Sequence, residues 1–309
     1  MNNEHITFDK DTMAASPGLT IDKSLDSQSD FVTKLRLKSR ANKLVKRDAS
    51  GDLSKEAGPP IISATASTVY VPDASSMKAL LLEVADNPNT VIIPSGYFPC
   101  SEPDSNEPLA AGSKFNISSK AFLAGHLGTE KDDTDRLAGW HQIDGQWHIA
   151  RLKANMLPSS WVLFDRDEVQ GMPEHLAVMS DDEWLAAMGE MIPGLGDVEK
   201  VMVPSSTGRV LVDGKPMAAS GQHYYVQIDD VGDLERFGAT LLQRSFLTGR
   251  GFMRPLYSKP QQDKVVIARQ WSIFDPTTFS HERLAYEGAP TLKGEGLTLA
   301  PPRVEVIRP

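Results

Sequence analysis

The stretch Trp161-Val-Leu-Phe-Asp165-Arg-Asp167 is an apolar run that leads into two aspartates separated by one position. An apolar run rich in large and β-branched side chains predicts a buried strand. Side chains alternate between the faces of a strand, so Asp165 and Asp167 are expected to project from the same side. Two carboxylates this close repel each other unless a cation lies between them, and hard divalent cations prefer oxygen ligands. The stretch is therefore either a metal site for phosphate chemistry or, because Asp-x-Asp is a common tripeptide, a solvated turn.

Composition and charge narrow the class of protein. Of the 309 residues 40% are hydrophobic, which supports a core, and the net charge of −9 argues against a binder that is basic all over. The apolar runs are shorter than the roughly 18–20 residues of a membrane span, and the polar start lacks a secretory signal. The single cysteine, Cys100, excludes an internal disulfide and a multi-cysteine zinc site. We expect a cytoplasmic protein without a membrane partner, of bacterial, phage or plasmid type.

Charge is unevenly distributed along the chain. Residues 163–200 are strongly acidic, whereas two segments are basic. Such runs are either solvated faces or, beside an acidic cleft, surfaces for phosphates. The basic residues of the two segments are Lys34, Arg36, Lys38, Arg40, Lys43, Lys46 and Arg47, and then Arg244, Arg250, Arg254, Lys259, Lys264 and Arg269.

Hydrophobic periodicity predicts strands and helices in mixed order, which favours an α+β fold over a doubly wound parallel sheet. We expect a mobile tail at 1–30, an N-terminal α/β subdomain at 31–135 and a catalytic core at 136–309. A loop is expected at 48–60. Helices are predicted at 73–86, after the Ser180 capping box, and at 233–247 before Gly249. Strands are predicted at 31–38, 68–71, 91–93, 161–164, 201–203, 224–228, 264–268 and 270–274, with hairpins around Asp144-Gly145 and Asp213-Gly214.

The first hairpin brings two histidines, His141 and His148, close together. A zinc site would need further ligands, so packing or base stacking is the alternative. Tyr224, Tyr225 and Trp271 are likewise either base-stacking residues or core residues of their strands.

Two later motifs extend the Asp165 pair. Ser220-Gly-Gln-His223 is a turn that opens a strand, and the apolar run at 270–274 ends at Asp275. Three carboxylates at strand ends are what a two-metal nucleotidyl transfer site requires, with the ions about 3.5–4 Å apart. Serine hydroxyls, turn amides and a histidine can bind the triphosphate of a nucleotide. The set predicts Asp165, Asp167 and Asp275 as ligands of two Mg²⁺ or Mn²⁺ ions.

These motifs resemble, in order, those of the archaeo-eukaryotic primase superfamily, which includes primase-polymerases of plasmids and phages. Its members have an apolar run ending in Asp-x-Asp, a Ser-x-His type turn, and an apolar residue followed by Asp. In this chain 163–167, 220–223 and 273–275 carry the resemblance, and 282–290 is similar to a segment that follows the third motif. The likeness covers roughly residues 140–300.

The resemblance implies an RRM-like mixed or antiparallel sheet as catalytic core, and a primase or primase-polymerase activity. The enzyme would make or extend primers from NTPs or dNTPs on a single-stranded DNA template. His223 would contact the phosphates of the incoming nucleotide. The motif's serine is left open between Ser205, Ser206 and Ser220, and Arg209 beside the serine turn is expected to reach the triphosphate. Arg250, Arg254, Lys259 and Lys264 are expected to follow the template backbone.

A helicase is a further expected partner, in cis or in trans, because relatives are often fused to one. No P-loop motif occurs in this chain. The chain ends soon after the last family-like segment, so we expect a domain of a longer protein.

Two other interpretations remain at this point. A metal-dependent glycosyltransferase also uses an Asp-x-Asp pair at a strand end, but does not require the histidine turn or Asp275. A non-catalytic replication-initiator module would bind nucleic acid whether or not the aspartates are present.

Overall fold

A computed structural model describes residues 30–37, 42–58, 60–98, 114–217, 221–229, 231–257 and 265–309. The predicted tail at 1–30, except for Asp30, lies outside the described residues. So do the predicted site residues Ser220, Lys259 and Lys264. The fold is mixed α+β, with several antiparallel and mixed sheets.

Strands and α-helices follow one another in mixed order along the described chain. The strands are β1 (Phe31–Arg36), β2 (Leu44–Arg47), β3 (Leu53–Glu56), β4 (Ser63–Tyr70), β5 (Thr90–Ile93), β6 (Gly96–Tyr97), β7 (Lys114–Ser118), β8 (Trp140–Ile143), β9 (Gln146–Ala150), β10 (Leu157–Pro158), β11 (Trp161–Arg166), β12 (Lys200–Pro204), β13 (Val210–Val212), β14 (Lys215–Pro216), β15 (Gln222–Gln227), β16 (Phe252–Tyr257), β17 (Val265–Trp271), β18 (Thr291–Lys293), β19 (Leu297–Leu299) and β20 (Glu305–Ile307). The α-helices are α1 (Ala74–Ala85), α2 (Lys120–Leu127), α3 (Thr134–Leu137), α4 (Glu174–Ala177), α5 (Asp181–Met191) and α6 (Leu234–Leu247).

Two larger sheets organise the chain. The first contains six described strands in the order β5-β1-β4-β7-β9-β8, and the second contains four in the order β11-β15-β12-β20. The hairpin β8–β9, which the sequence placed in the core beginning at 136, belongs to the first sheet. Strand β18 near the C-terminus pairs in parallel with β2, so the two ends of the described chain also meet.

Alternation along β11 separates the two faces of the second sheet. Trp161 and Leu163 face a cluster that includes Met77 and Leu81 of α1. Val162 and Phe164 face the opposite cluster, which α5 and α6 complete. Period-two alternation therefore puts Asp165 on the α1 side of the sheet and Arg166 on the other.

Several predicted elements are confirmed, including the helix at 73–86 and the capping box at Ser180, where Glu183 returns the bond. Both Asp-Gly hairpins are confirmed, with Asp144 and Asp213 at positive φ.

Three expectations were wrong in detail. The predicted loop 48–60 contains β3, whose four exposed residues give no apolar alternation to detect. The basic segment contains β16, for which no strand was predicted. The two strands predicted at 264–268 and 270–274 are instead one strand, β17, which pairs with β16 and ends at Trp271. Ser272 onward turns away from that ribbon towards β11.

None of the helices in the described ranges is long and apolar enough to span a bilayer.

Candidate active site

Asp165 lies directly opposite His223 in the register between β11 and β15. Its Oδ1 is 3.4 Å from Nε2 of His223, and the carboxylate is 16% exposed. The same Oδ1 is buried and forms no hydrogen bond within the described structure. Burial alone would raise the pKa of Asp165, but the charge and contact of His223 outweigh burial and hold that pKa below its usual value.

Asp167 follows β11 and lies over the start of β15. A Cβ placed on Gly221 would meet Oδ1 of Asp167 at 2.1 Å, so the carboxylate occupies the space that any side chain there would need. Burial raises the pKa of Asp167, and the charges of Asp165 and Asp275 raise it further. The ionised form of Asp167 is thus unfavourable in these surroundings, and a bound cation would stabilise it.

A backbone hydrogen bond places Asp275 beside Asp165. Its N–H donates to the carbonyl of Asp165 at 2.8 Å, which sets residues 273–275 beside β11. Its side chain accepts from the N–H of Thr277, and its Oδ2 is 3.5 Å from Nη2 of Arg283. Asp275 is therefore a neighbour of Asp165, and the charges of both act on Asp167. Asp275 does not end a strand but caps the 3-10 turn Pro276–Thr278.

Cations surround these carboxylates. Lys43 and His223 favour the charged form of both Asp165 and Asp167, and Arg283 does so for Asp165. In the part of the chain that is described, no three His, Cys, Asp or Glu side chains are gathered so as to hold a metal ion. Two features fit a cation. Oδ1 of Asp165 has the ion pair with His223 but no hydrogen bond to a described residue, and Asp167 is repelled by the neighbouring carboxylates.

Glu287 contacts the ring nitrogen of His223 that does not face Asp165. Its Nδ1 is 2.5 Å from Oε1 of Glu287, and the hydroxyl of Tyr225 donates to the same oxygen. Glu287 is buried, and its Oε2 has no hydrogen-bond partner in the described structure. Burial acts to lower the pKa of His223, but Glu287 and Asp165 outweigh it and raise that pKa well above its ordinary value. The imidazole is therefore a cation held between two carboxylates.

The serine turn lies on the neighbouring strand. The N–H of Ser205 donates to the carbonyl of Gly221 at 2.9 Å, which places the end of β12 beside the start of β15. The hydroxyl of Ser206 is buried and has no hydrogen-bond partner among the described atoms. Ser205 approaches only Thr207, with their hydroxyl oxygens 3.4 Å apart. Both serines are thus beside the His223 strand, while Ser220 is outside the described residues.

Arg209 does not fit its predicted role. Its guanidinium is buried and donates to the carbonyl of Ala85 at 2.6 Å, to Asp86 at 2.7 Å and to the carbonyl of Ala300 at 3.1 Å. These contacts fix the C-terminal end of α1, where carbonyl groups lack helical partners. The side chain is committed to packing and is not available to a triphosphate.

The predicted template residues divide into two groups. Arg250 forms an ion pair with Glu190 at 2.7 Å and donates to the carbonyl of Thr248, so it is bound within the fold. Arg254 is on the ribbon formed by β16 and β17, where its guanidinium lies 4.3 Å from the centre of the Trp271 ring. Lys259 and Lys264 belong to the segment outside the described residues.

The aromatic residues considered for base stacking are core residues. Tyr224, Tyr225 and Trp271 are buried, and Tyr224 stacks on Trp184 with ring centres 4.6 Å apart. The packing interpretation of these strands is the one that the structure supports.

A polar cavity of about 170 Å³ borders Asp167 on the α5 side of the second sheet. Arg166 and Gln222 line it, and both bind Asp181, at 2.5 Å and 2.9 Å. The wall of this cavity therefore carries both donors and acceptors.

Three residues of the site were missed in the sequence: Lys43, Arg283 and Glu287. Lys43 was one of seven cations in a basic run, and Arg283 and Glu287 were within the segment after the third motif. Their positions depend on the pairing of distant segments, for which the sequence has no local signal. The chain matches no protein-family model, no curated protein and no solved structure.

Proposed function

We propose that this protein is a DNA-templated nucleotidyltransferase of the primase-polymerase type. The observation that carries the proposal is the meeting of Asp165, Asp167 and Asp275 beside His223, from three separate parts of the chain. Convergence of groups distant in sequence favours a site over a solvated Asp-x-Asp turn, because a turn would not need the other two segments.

The topology of the second sheet supports an RRM-like core. In chain order its elements are β11, α5, β12, β15, α6 and then the segment that ends at Asp275, with α4 inserted before α5, β13 and β14 before β15, and β16 and β17 after α6. This is the strand and helix order of the ferredoxin-like β-α-β-β-α-β motif. The first, third and second strands are adjacent in that order, and the Asp275 segment binds the free side of β11. The bond from Asp275 to Asp165 takes the place of a fourth strand.

The residues that would hold Mg²⁺ or Mn²⁺ are Asp165, Asp167 and Asp275. Bound there, the ions would activate a 3′-hydroxyl and neutralise charge on the leaving pyrophosphate. The carboxylates of this chain are suited to that role because a buried oxygen of Asp165 forms no hydrogen bond to a described residue, and because burial and the neighbouring carboxylates oppose the charge of Asp167.

The phosphate end of the nucleotide would be bound by the cations around the carboxylates. His223 is held as a cation with Nε2 facing Asp165, so the ring can donate to a phosphate oxygen that approaches there. Arg283 is 45% exposed beside Asp275 and has donors left for the same ligand. Ser206 offers a hydroxyl without a partner in the described structure.

The ribbon of β16 and β17 is the proposed template contact. Arg254 and Arg269 are directly opposite each other in its register, and neither forms an ion pair with a described residue. Like charges in directly opposite positions are unfavourable, so a phosphate between them would be stabilising. Pro255 of the ribbon contacts Gly171, four residues after Asp167, which connects this surface to the carboxylates.

The test is nucleotide incorporation on single-stranded DNA. The protein is incubated with template, labelled NTPs or dNTPs and Mg²⁺ or Mn²⁺, with and without a primer. Asp165→Asn, Asp167→Asn and Asp275→Asn should each lose incorporation by at least a hundredfold and keep a cooperative unfolding transition. Asp132→Asn, an exposed aspartate elsewhere, should retain wild-type activity.

Equal incorporation by the wild type and Asp165→Asn would disprove the proposed site. Transfer of a sugar from a nucleotide-sugar, without nucleotide incorporation, would indicate the glycosyltransferase instead. Template binding without any incorporation under all metal conditions would favour a non-catalytic initiator module.

A further inference from the structure

One face of the first sheet is polar along three adjacent strands. Lys34 of β1 is in register with Ser67 of β4, which is in register with Lys114 of β7. In the next row, two residues along, Arg36 is opposite Thr65, which is opposite Asn116. Residues opposite each other in antiparallel strands point to the same face, so these six side chains form one floor. We call this floor and its flanking helices the sheet-face trough.

Helices cover this face only at its two ends. Val32, on the same face as Lys34, is buried in one cluster with residues of α1. Ile143 and Ala150 are buried in a separate cluster with Leu123 of α2. Between the helices lie two cavities of about 790 Å³ and 470 Å³ that share Thr65. Thr65, between the two cavities, is exposed, so the floor is open to solvent at the point where they meet.

The cations of the trough are only partly neutralised. Lys34 pairs with Glu83 of α1 at 2.7 Å. Arg36 and Lys114 are exposed, and neither pairs with an acidic side chain in the described ranges. Asp144 lines the far cavity, at the end beyond Asn116. Among the described residues, the middle of the trough therefore carries two positive charges without an acidic partner, on a protein with a net charge of −9.

Aromatic rings line the α2 end. The ring of Phe122 stacks on His148 with centres 5.6 Å apart and an angle of 26°, and lies 4.3 Å from the ring of His126. His148 is fixed by Ser118, whose Oγ is 2.8 Å from its Nδ1. Phe122 is half-buried and lines the cavity. Stacking rings next to a basic groove are the features that bind unpaired bases without sequence preference.

We propose that the sheet-face trough binds single-stranded nucleic acid, with Arg36 and Lys114 on phosphates and Phe122 beneath a base. The surface shares its partner with the proposed function but lies on the other sheet, away from the three carboxylates. It would hold the strand before or after it reaches the site of synthesis. The inference therefore does not require nucleotidyl transfer to occur.

The test measures the binding of fluorescein-labelled dT20 to the full chain by anisotropy, without nucleotides or metal ions, at several salt concentrations. The variant Arg36→Glu/Lys114→Glu should raise the Kd at least tenfold. It should also lower the slope of log K against log salt by about 1.4, since each phosphate contact on a single strand contributes roughly 0.7. Phe122→Leu keeps an apolar side chain and should raise the Kd about fivefold or more, with the slope unchanged.

The matched control is Lys131→Glu/Lys215→Glu, which makes the same change of charge at two exposed lysines elsewhere. Its Kd should stay within about twofold of wild type. Equal loss in the control and the trough variant would overturn the proposal, as would equal affinity for a 20-base-pair duplex. Competition by polyglutamate as effective as that by dT20 would also overturn it, because the surface would then suit acidic proteins.

Asp165→Asn separates the two proposals. It should bind dT20 as the wild type does, even though incorporation is lost. If the wild type binds dT20 but incorporates no nucleotide, the proposed function is wrong, whereas the proposal that the trough binds single strands still holds.

Discussion

Glu287 holds the imidazole of His223 at an Nδ1–Oε1 distance of 2.5 Å, and this contact decides which ring nitrogen faces Asp165. Tyr225 donates its hydroxyl to the same carboxylate oxygen, so Glu287 is itself fixed. A histidine held in this way presents Nε2–H in one direction without losing side-chain freedom when a ligand arrives. Glu287 is thus a positioning residue for the proposed phosphate contact.

Replacing Glu287 by Gln should raise the KM for the incoming nucleotide about tenfold or more and change kcat less. The substitution keeps the shape but removes a buried charge-assisted hydrogen bond of roughly 1.5–3 kcal/mol. Steady-state incorporation at varied nucleotide concentration measures both constants. Tyr225→Phe is the control, since it removes the second donor to Oε1 and leaves the contact with His223. An equal rise in KM for both variants would mean that packing, rather than the orientation of His223, is what matters.

Asp167→Asn should stabilise the metal-free protein at neutral pH, because it removes a largely buried carboxylate whose charge the neighbouring carboxylates oppose. Burial and the neighbouring carboxylates raise the pKa of Asp167, so its ionisation favours the unfolded chain at pH values above that pKa. Urea unfolding without metal measures the change. Mn²⁺ should then raise the Tm of the wild type and leave that of Asp167→Asn unchanged. A destabilised metal-free variant would contradict the repulsion that we describe.

Gly221→Ala should destabilise the fold by about 1–3 kcal/mol, because a methyl group is forced into an occupied space. Its Cβ would meet Oδ1 of Asp167 at 2.1 Å and the carbonyl oxygen of Arg166 at 2.9 Å, and the backbone oxygen cannot move aside cheaply. Gly125→Ala is the matched control in the interior of α2, where a Cβ meets nothing within 4 Å. That control should gain about 0.5–1 kcal/mol in the free energy of unfolding. Two equal effects would show that the space above Gly221 is not filled.

Arg209→Met should lower the free energy of unfolding by about 2–3 kcal/mol, because the end of α1 loses charged donors. The KM for nucleotide should not change in any protein that remains folded. Arg303→Met is the control, since the Arg303–Glu305 pair is exposed and such pairs contribute about 1 kcal/mol or less. A large rise in KM with unchanged stability would restore the triphosphate role predicted from the sequence.

Local patterns were sufficient for much of the fold. The alternation in β1 placed Lys34 and Arg36 outward, and the capping box at Ser180 set the start of α5. The exposed β3 was predicted as a loop, and the single strand β17 was predicted as two strands. The exposed residues of β3, and residues 267–270 of β17, show no alternation between buried and exposed positions. Hydrophobic periodicity reports burial, so it is silent where a strand is exposed on both faces.

The sequence indicated the three carboxylates and His223 of the candidate site. It did not indicate the cations Lys43 and Arg283. Asp165 and His223 stand at the ends of apolar strands, where a polar residue is conspicuous. Arg209 was assigned wrongly because nearness in sequence to the serines was taken for nearness in space. Its partners, Ala85 and Asp86, are more than 120 positions away, and no local pattern encodes such a pairing.

The parallel pairing of β2 with β18 affects the order in which parts of the protein can fold. Lys43 accepts a bond from Thr291 through its carbonyl, and Glu287 lies four residues before that junction. During synthesis from the N-terminus, β2 can pair with β3 early, but Lys43 and the other edge of β2 must wait until residues 291–293 have been made. Closing so long a loop is slow, because the entropy is lost before the contacts form. The described strands of the first sheet all come before residue 151, whereas the second sheet also needs β20, so that sheet and the phosphate-binding end of the proposed site are completed late.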